Sequence, residues 1–298
     1  MRYITDREVQ GLHISPRTCV EWVYDAFINK RRCILSPKIS QRLSSDSFFN
    51  TMPCCIPQFG RMGVKVVSRL PGNTPPLKSF INLFDLSTGD LLSVIEADWI
   101  TAMRTGAVAT LAAKTFAVDF MDNPSWGFVG LGSTARATII CLSSQLESRQ
   151  ADVWLLEYKN RAKDFAAQFS DLKNFTFHIV NSKEELISNT RSLFSCVTVM
   201  NEQFAEPDAY PMGYTCIPIH TKGFQDCDLV FDRVFGDDTG HISVFKNFAK
   251  FRSFAEISDV LMGNEMGRAN IDERILSYNV GIGLHDVWYA SKIYDLLK

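Results

Sequence analysis

Gly130 and Gly132, followed by Ser133, Thr134 and Ala135, stand between an apolar run from Ser125 to Val129 and a helical run that the spacing predicts over 134–146. This spacing suits the binding of a pyrophosphate. Gly130 permits a tight turn, Gly132 lets the backbone come close to the phosphates, and Ala135, in place of a third glycine, is small enough for close helix-to-strand packing. The helix would aim its unpaired N–H groups and positive dipole end at the anion. Downstream, Ala151 to Glu157 reads as a buried strand ending in an acid, and Glu157 lies 22 residues beyond Ala135. A carboxylate at about 20 residues takes the ribose hydroxyls of adenosine and repels a 2′-phosphate, which favours NAD. Lys159 and Arg161 follow closely enough to leave NADP possible. The plainer alternatives are an ordinary tight turn and a surface acid that ends a strand.

Around this turn, residues 126 to about 240 alternate strand and helix, with strands expected near 126–130, 151–157, 175–180, 195–200, 216–220 and 233–237. Such alternation predicts a doubly wound parallel sheet. The N-terminal third is different. Ser15-Pro16 reads as an N-cap with proline at the first helical position, and Val20, Val23, Tyr24 and Phe27 repeat at helical spacing, so a helix is expected over 16–31. Strands over 62–68, 79–84 and 91–95 joined by tight turns predict an antiparallel or mixed sheet. The alanine-rich stretch 97–118 is helical, but Thr105 is a good N-cap and Gly106 weakens a helix, so one helix is expected to end near Arg104 and another to begin at Gly106. The tail from 271 to 298 reads as helix interrupted at Gly281 and Gly283. The fold class is therefore α/β: a Rossmann-type domain over 119–269 and a second, α+β domain over 1–118 and 270–298.

The chain has 298 residues, 46% of them hydrophobic, and a net charge of −2. It carries no basic block, which argues against a nucleic-acid surface, although a few local cations could hold a small anion. No apolar run reaches membrane-spanning length, and Met1 to Asp6 lacks the apolar core of a signal peptide, so a soluble cytoplasmic protein is expected. The eight cysteines form no C-x-x-C pair and the five histidines are scattered, so free thiols and no metal site are expected.

Four segments carry a resemblance that covers nearly the whole chain: Ser36-Pro37-Lys38 with Thr51-Met52-Pro53; Gly63 through Asn73; Thr101-Ala102-Met103-Arg104-Thr105-Gly106-Ala107; and Gly281-Ile282-Gly283-Leu284-His285-Asp286 followed by Ala290. The chain resembles the ornithine cyclodeaminase/mu-crystallin family. That resemblance implies a substrate and dimerisation domain built from the N-terminal segment and the C-terminal helix, a central NAD(P)-binding domain, and a homodimer. It places Lys65 at the active-site lysine, Arg104 at the arginine that holds the substrate carboxylate, and Lys38 and Met52 beside them. Thr105 would lie near the cofactor phosphates.

The implied activity is NAD(P)-dependent hydride transfer at the α-carbon of an amino or imino acid. A true cyclodeaminase and a non-catalytic cofactor-binding protein are the alternatives. The ornithine-specific members carry an aspartate in the loop after the strand at 216–220, where Lys222 is the best match here, with Asp226 and Asp228 a few residues later. Each cation also has a plainer explanation. Lys65 could protect an edge strand, Arg104 could cap a helix end, Lys38 could be an ordinary surface lysine, and His220 and His241 could be loop or core residues.

Overall fold

The computed structural model describes residues 1–198, 200, 203–220 and 224–298. In chain order the elements are β1 (Arg2–Ile4), α1 (Asp6–Gly11), α2 (Pro16–Ile28), β2 (Ile34–Leu35), β3 (Ile39–Arg42), β4 (Phe48–Ile56), β5 (Arg61–Arg69), β6 (Leu77–Asp85), β7 (Leu91–Glu96) and α3 (Asp98–Phe116). There follow β8 (Ser125–Val129), α4 (Ser133–Leu146), β9 (Ala151–Leu156), α5 (Ala162–Ala167), β10 (Phe175–Val180), α6 (Lys183–Ser188), β11 (Ser192–Ser195) and β12 (Thr215–Pro218). The chain ends with β13 (Arg233–Gly236), α7 (Thr239–Ile242), β14 (Phe254–Glu256), α8 (Ile257–Leu261), β15 (Ile275–Tyr278) and α9 (Gly283–Leu296). Two compact units result, Met1–Arg104 with Ile282–Lys298, and Thr105–Gly281.

In the first unit a mixed sheet runs β1-β7-β6-β5-β4-β2, with β3 also paired to β4. All its pairings are antiparallel except that of β1 with β7. Side chains alternate across a strand, so Arg61, Gly63, Lys65 and Val67 of β5 face inward with Met52, Cys54 and Ile56 of β4. The opposite face is half-exposed and mostly apolar: Pro53 pairs with Val64, Val66 with Phe80 and Met62 with Phe84, with Thr51 and Asn82 among them. α9 covers the inner face because two glycines let it approach. A Cβ on Gly63 would sit 2.7 Å from Val287, and one on Gly283 would sit 2.9 Å from the Met52 carbonyl oxygen. Its far end is tied by Arg61, whose guanidinium donates to both carboxylate oxygens of Asp295 at 2.9 and 2.5 Å. Ser15 caps α2 by accepting from the Thr18 N–H, with Pro16 at the first turn, as its sequence predicts.

The second unit is a parallel sheet ordered β10-β9-β8-β11-β12-β15-β13-β14. Its chain leaves β8 toward β9 and β10, then returns to add β11 on the other side of β8. That reversal makes a topological switch point at the carboxyl ends of β8 and β11, the place where doubly wound sheets bind ligands.

Three expectations need correction. α3 is one continuous helix with no break at Thr105 or Gly106. Gly106 is there for close packing, since a Cβ would lie 2.5 Å from the backbone carbon of Ala137 in α4. The division between the two units falls within α3, at Arg104, and again at Gly281. The tail is not helical throughout, because Ile275–Tyr278 joins the parallel sheet as β15 and the helix starts only at Gly283. The strand expected over 195–200 ends at Ser195.

Candidate active site

Lys65 sits in the middle of β5, an interior strand, with no exposed surface, so protection of an edge does not explain it. An ammonium so buried needs an anion. Asp286, in the first turn of α9 and equally buried, supplies it: Lys65 Nζ donates to Asp286 Oδ1 at 2.7 Å. Arg104 Nε lies 3.0 Å from the same oxygen. It is close enough to attract but off-line for a hydrogen bond. Arg104 is therefore a site residue inside a helix rather than a cap on a helix end. Met52 is buried and directly opposite Lys65 in the β4–β5 register. Lys38 is half-buried, and its charge reaches Lys65. The structure thus brings together the four substrate-site residues that it describes.

Burial, then the Arg104 charge, pulls the Lys65 ammonium down to about 7, and Asp286 opposes the fall. The amine can therefore change protonation near neutrality, as a general acid or base requires.

In the sequence Asp286 and its neighbour His285 belong to the segment Gly281–Asp286, which by itself assigns neither a role. Their signal was available: a lysine and an arginine converging in an apolar domain call for a carboxylate, and Asp286 is the acid at the start of the last helix. Asp286 Oδ2 has no hydrogen-bond partner among the described residues, and neither ring nitrogen of His285 has one. His285 is fully buried and stands edge-on to Phe27 at 4.5 Å between ring centres. Burial and the charges of Arg104, Lys30 and Lys65 hold its pKa well below the usual range, so it is neutral. Buried polar atoms are nearly always paired, and the unpartnered Asp286 Oδ2 beside two cations can accept from the N–H of a ligand whose anionic group the cations attract.

In the second unit Gly130 has φ +83°, and a Cβ there would sit 2.8 Å from the backbone of Cys196 and Val197, so only glycine fits this turn. Gly132 is the N-cap of α4, with no side chain capping the helix and open space where its Cβ would be. Ser133 is exposed, Thr134 half-buried and Ala135 fully buried. A helix of 14 residues with uncapped N–H groups behind a glycine turn fits a pyrophosphate. Thr105 is not an N-cap, because it lies within α3, one residue before the contact with α4.

Glu157 follows β9, and its Oε1 accepts from the Arg161 N–H at 2.9 Å, which anchors the turn. In that turn Lys159 has φ 55° and its ammonium lies 5.1 Å from the centre of the Tyr158 ring. Lys222 lies outside the described residues. Asp226 is exposed and paired with Lys246 at 2.8 Å. Asp228 is buried and held by Asn247 at 2.7 Å and by the Tyr278 hydroxyl at 2.9 Å. Each of these acids is thus occupied within its own unit. His241 pairs with Asp238 at 2.7 Å, and His220 with Ser195 at 2.9 Å.

The chain is similar to the nodulation efficiency protein NfeD of Rhizobium meliloti, at 26% identity over 88% of this chain and 84% of that one. Its fold matches that of Thermococcus litoralis Delta(1)-pyrroline-2-carboxylate reductase in complex with NADH and L-proline, with a TM-score of 0.85 and 23% identity over 99% of this chain and 97% of that one. It also matches an archaeal alanine dehydrogenase dimer with bound NAD, with a TM-score of 0.82 and 22% identity over 98% and 94% of the two chains. The model of the ornithine cyclodeaminase/mu-crystallin family matches residues 4–206, about two thirds of the sequence, and the chain belongs to that family.

Proposed function

We propose that the protein is an NAD(P)-dependent reductase of α-imino acids, reversible as an amino acid dehydrogenase. The observation that carries this is Asp286, which gathers Lys65 and Arg104 on one oxygen and keeps the other without a partner among the described residues. An α-imino acid complements that set. Its carboxylate meets Arg104 and Lys38 in charge-assisted hydrogen bonds, and its iminium N–H donates to Asp286 Oδ2. Met52 packs against its side chain. A dinucleotide held by the glycine turn would supply or accept the hydride at the α-carbon. Lys65 delivers the proton that turns the neutral imine into that iminium, so that hydride addition leaves a neutral amine, and in the reverse direction takes it back.

Gly130, Gly132, Ser133, Thr134 and Ala135 would hold the pyrophosphate, with Thr105 close by, and Glu157 would favour NADH over NADPH. The apolar outer face of the first unit's sheet supports a homodimer, and eight free cysteines support a cytoplasmic setting. Lys222 stands in the sequence where the ornithine-specific members carry an aspartate, and its charge would repel a distal ammonium, which disfavours ornithine as substrate.

The test is to supply Δ1-pyrroline-2-carboxylate, or pyruvate with ammonia, and follow NADH consumption. Turnover that Arg104→Ala abolishes is expected. Failure with every imino acid tried, together with catalytic release of ammonia and proline from ornithine and NAD, would replace the reductase with a cyclodeaminase.

A further inference from the structure

The carboxyl edge of the parallel sheet carries polar side chains that the reaction above does not use. β11, β12 and β15 are neighbours there. Ser195, the last residue of β11, is fully buried, and its hydroxyl lies 2.9 Å from Nε2 of His220, which is 7% exposed just beyond β12. Asn279, just beyond β15, donates its backbone N–H to the Pro218 carbonyl at 2.9 Å, which sets it against the end of β12, two residues before His220. Asn279 Oδ1 accepts from the Ser277 hydroxyl at 3.3 Å. In this orientation of the amide Nδ2 is left without a hydrogen-bond partner among the described residues although Asn279 is 3% exposed.

The place of this row decides what it can meet. The pyrophosphate turn is at the end of β8 and the ribose acid at the end of β9, so the adenosine half would lie over β9. The other half of a dinucleotide spanning the switch point would extend over β11 and β12. That half ends in a carboxamide, a flat group with one carbonyl acceptor and one N–H donor face. An orphaned amide donor beside a hydroxyl-fixed imidazole is complementary to it.

We infer that Asn279 and His220, the latter oriented by Ser195, position the nicotinamide carboxamide. Asn279 Nδ2 donates to the carbonyl oxygen, and the His220 ring bounds the other side of the amide and sets its rotation. Both are positioning residues. The inference rests on the dinucleotide site proposed above.

The experiment compares NADH with ADP-ribose, which keeps the pyrophosphate and adenosine but lacks the nicotinamide. Binding of each is titrated by fluorescence and calorimetry to the full-length wild type and to Asn279→Ala, His220→Ala, His220→Asn and Ser195→Ala. The expected result is NADH binding weakened about tenfold in Asn279→Ala and His220→Ala, the effect of one lost hydrogen bond, with ADP-ribose changed by less than about twofold. His220→Asn, which keeps a donor and an acceptor, should restore part of the loss, and Ser195→Ala should weaken NADH less than His220→Ala does. Unchanged NADH binding, or equal losses for both ligands, overturns the inference and leaves the dinucleotide site standing. A wild type that binds neither ligand overturns both.

Discussion

At the scale of single residues, one carboxylate organises the proposed chemistry. Asp286 neutralises two buried cations at once, so its loss strands both, whereas loss of Lys65 leaves Arg104 beside it. Asp286→Ala should therefore destabilise the fold by about 3–5 kcal/mol and Lys65→Met by clearly less, which denaturant unfolding of the two variants would measure. Equal costs would mean that Arg104 contributes nothing to the pair. The depressed ammonium gives a second prediction. Imine reduction needs Lys65 protonated, so the rate should be high on the acid side and fall as pH rises through about 7, while amine oxidation should rise through the same range. Asp286 holds the proton on Lys65, so in Asp286→Asn the limb should move to lower pH. Profiles of both directions in wild type and variant would check the sign, and a limb that stays in place would separate Asp286 from Lys65.

At the scale of elements, glycines explain both what the sequence revealed and what it hid. Gly130 was legible because its spacing to Gly132 and Ala135 has a local meaning, a turn into a helix. Gly106 was misread as a helix break, since in sequence alone a glycine after an N-cap residue looks like a boundary. Its reason is nonlocal: the α4 backbone lies where a side chain would be. Gly106→Ala should thus destabilise rather than stabilise, by about 1–3 kcal/mol or more, although alanine is the better helix former. Thermal and denaturant melts would decide, and a gain would mean that α4 can shift. β15 was hidden for a similar reason. Ile275 to Tyr278 is a four-residue apolar run whose strand character comes from its neighbours β12 and β13, not from any periodicity of its own. Asp286 was present in a recognised motif, but its role emerged only when the register of β5 and the placement of α9 brought it to Lys65.

At the scale of the whole molecule, the half-exposed apolar face of the first unit's sheet predicts association. Val64, Val66, Phe80 and Phe84 lie on one face of the sheet, interrupted by Asn82, and apolar side chains grouped in this way on a half-exposed face suit a partner surface. Light scattering should give the mass of two chains at micromolar concentration, and Val66→Asp should lower it to one. A monomeric wild type would require another cover for that face. The orphaned atoms around Asp286 and His285 bear on the melting behaviour of the protein. A fold with unsatisfied polar groups at its centre is below its own best stability, and the molecule that completes their hydrogen bonds should raise its melting temperature. At a hundredfold excess over Kd the gain is about 2.7 kcal/mol. Heating the protein with a panel of amino and imino acids would therefore sort candidate substrates before any turnover is detected, and by which compound best resists the heat the molecule would report the side chain it was built to hold.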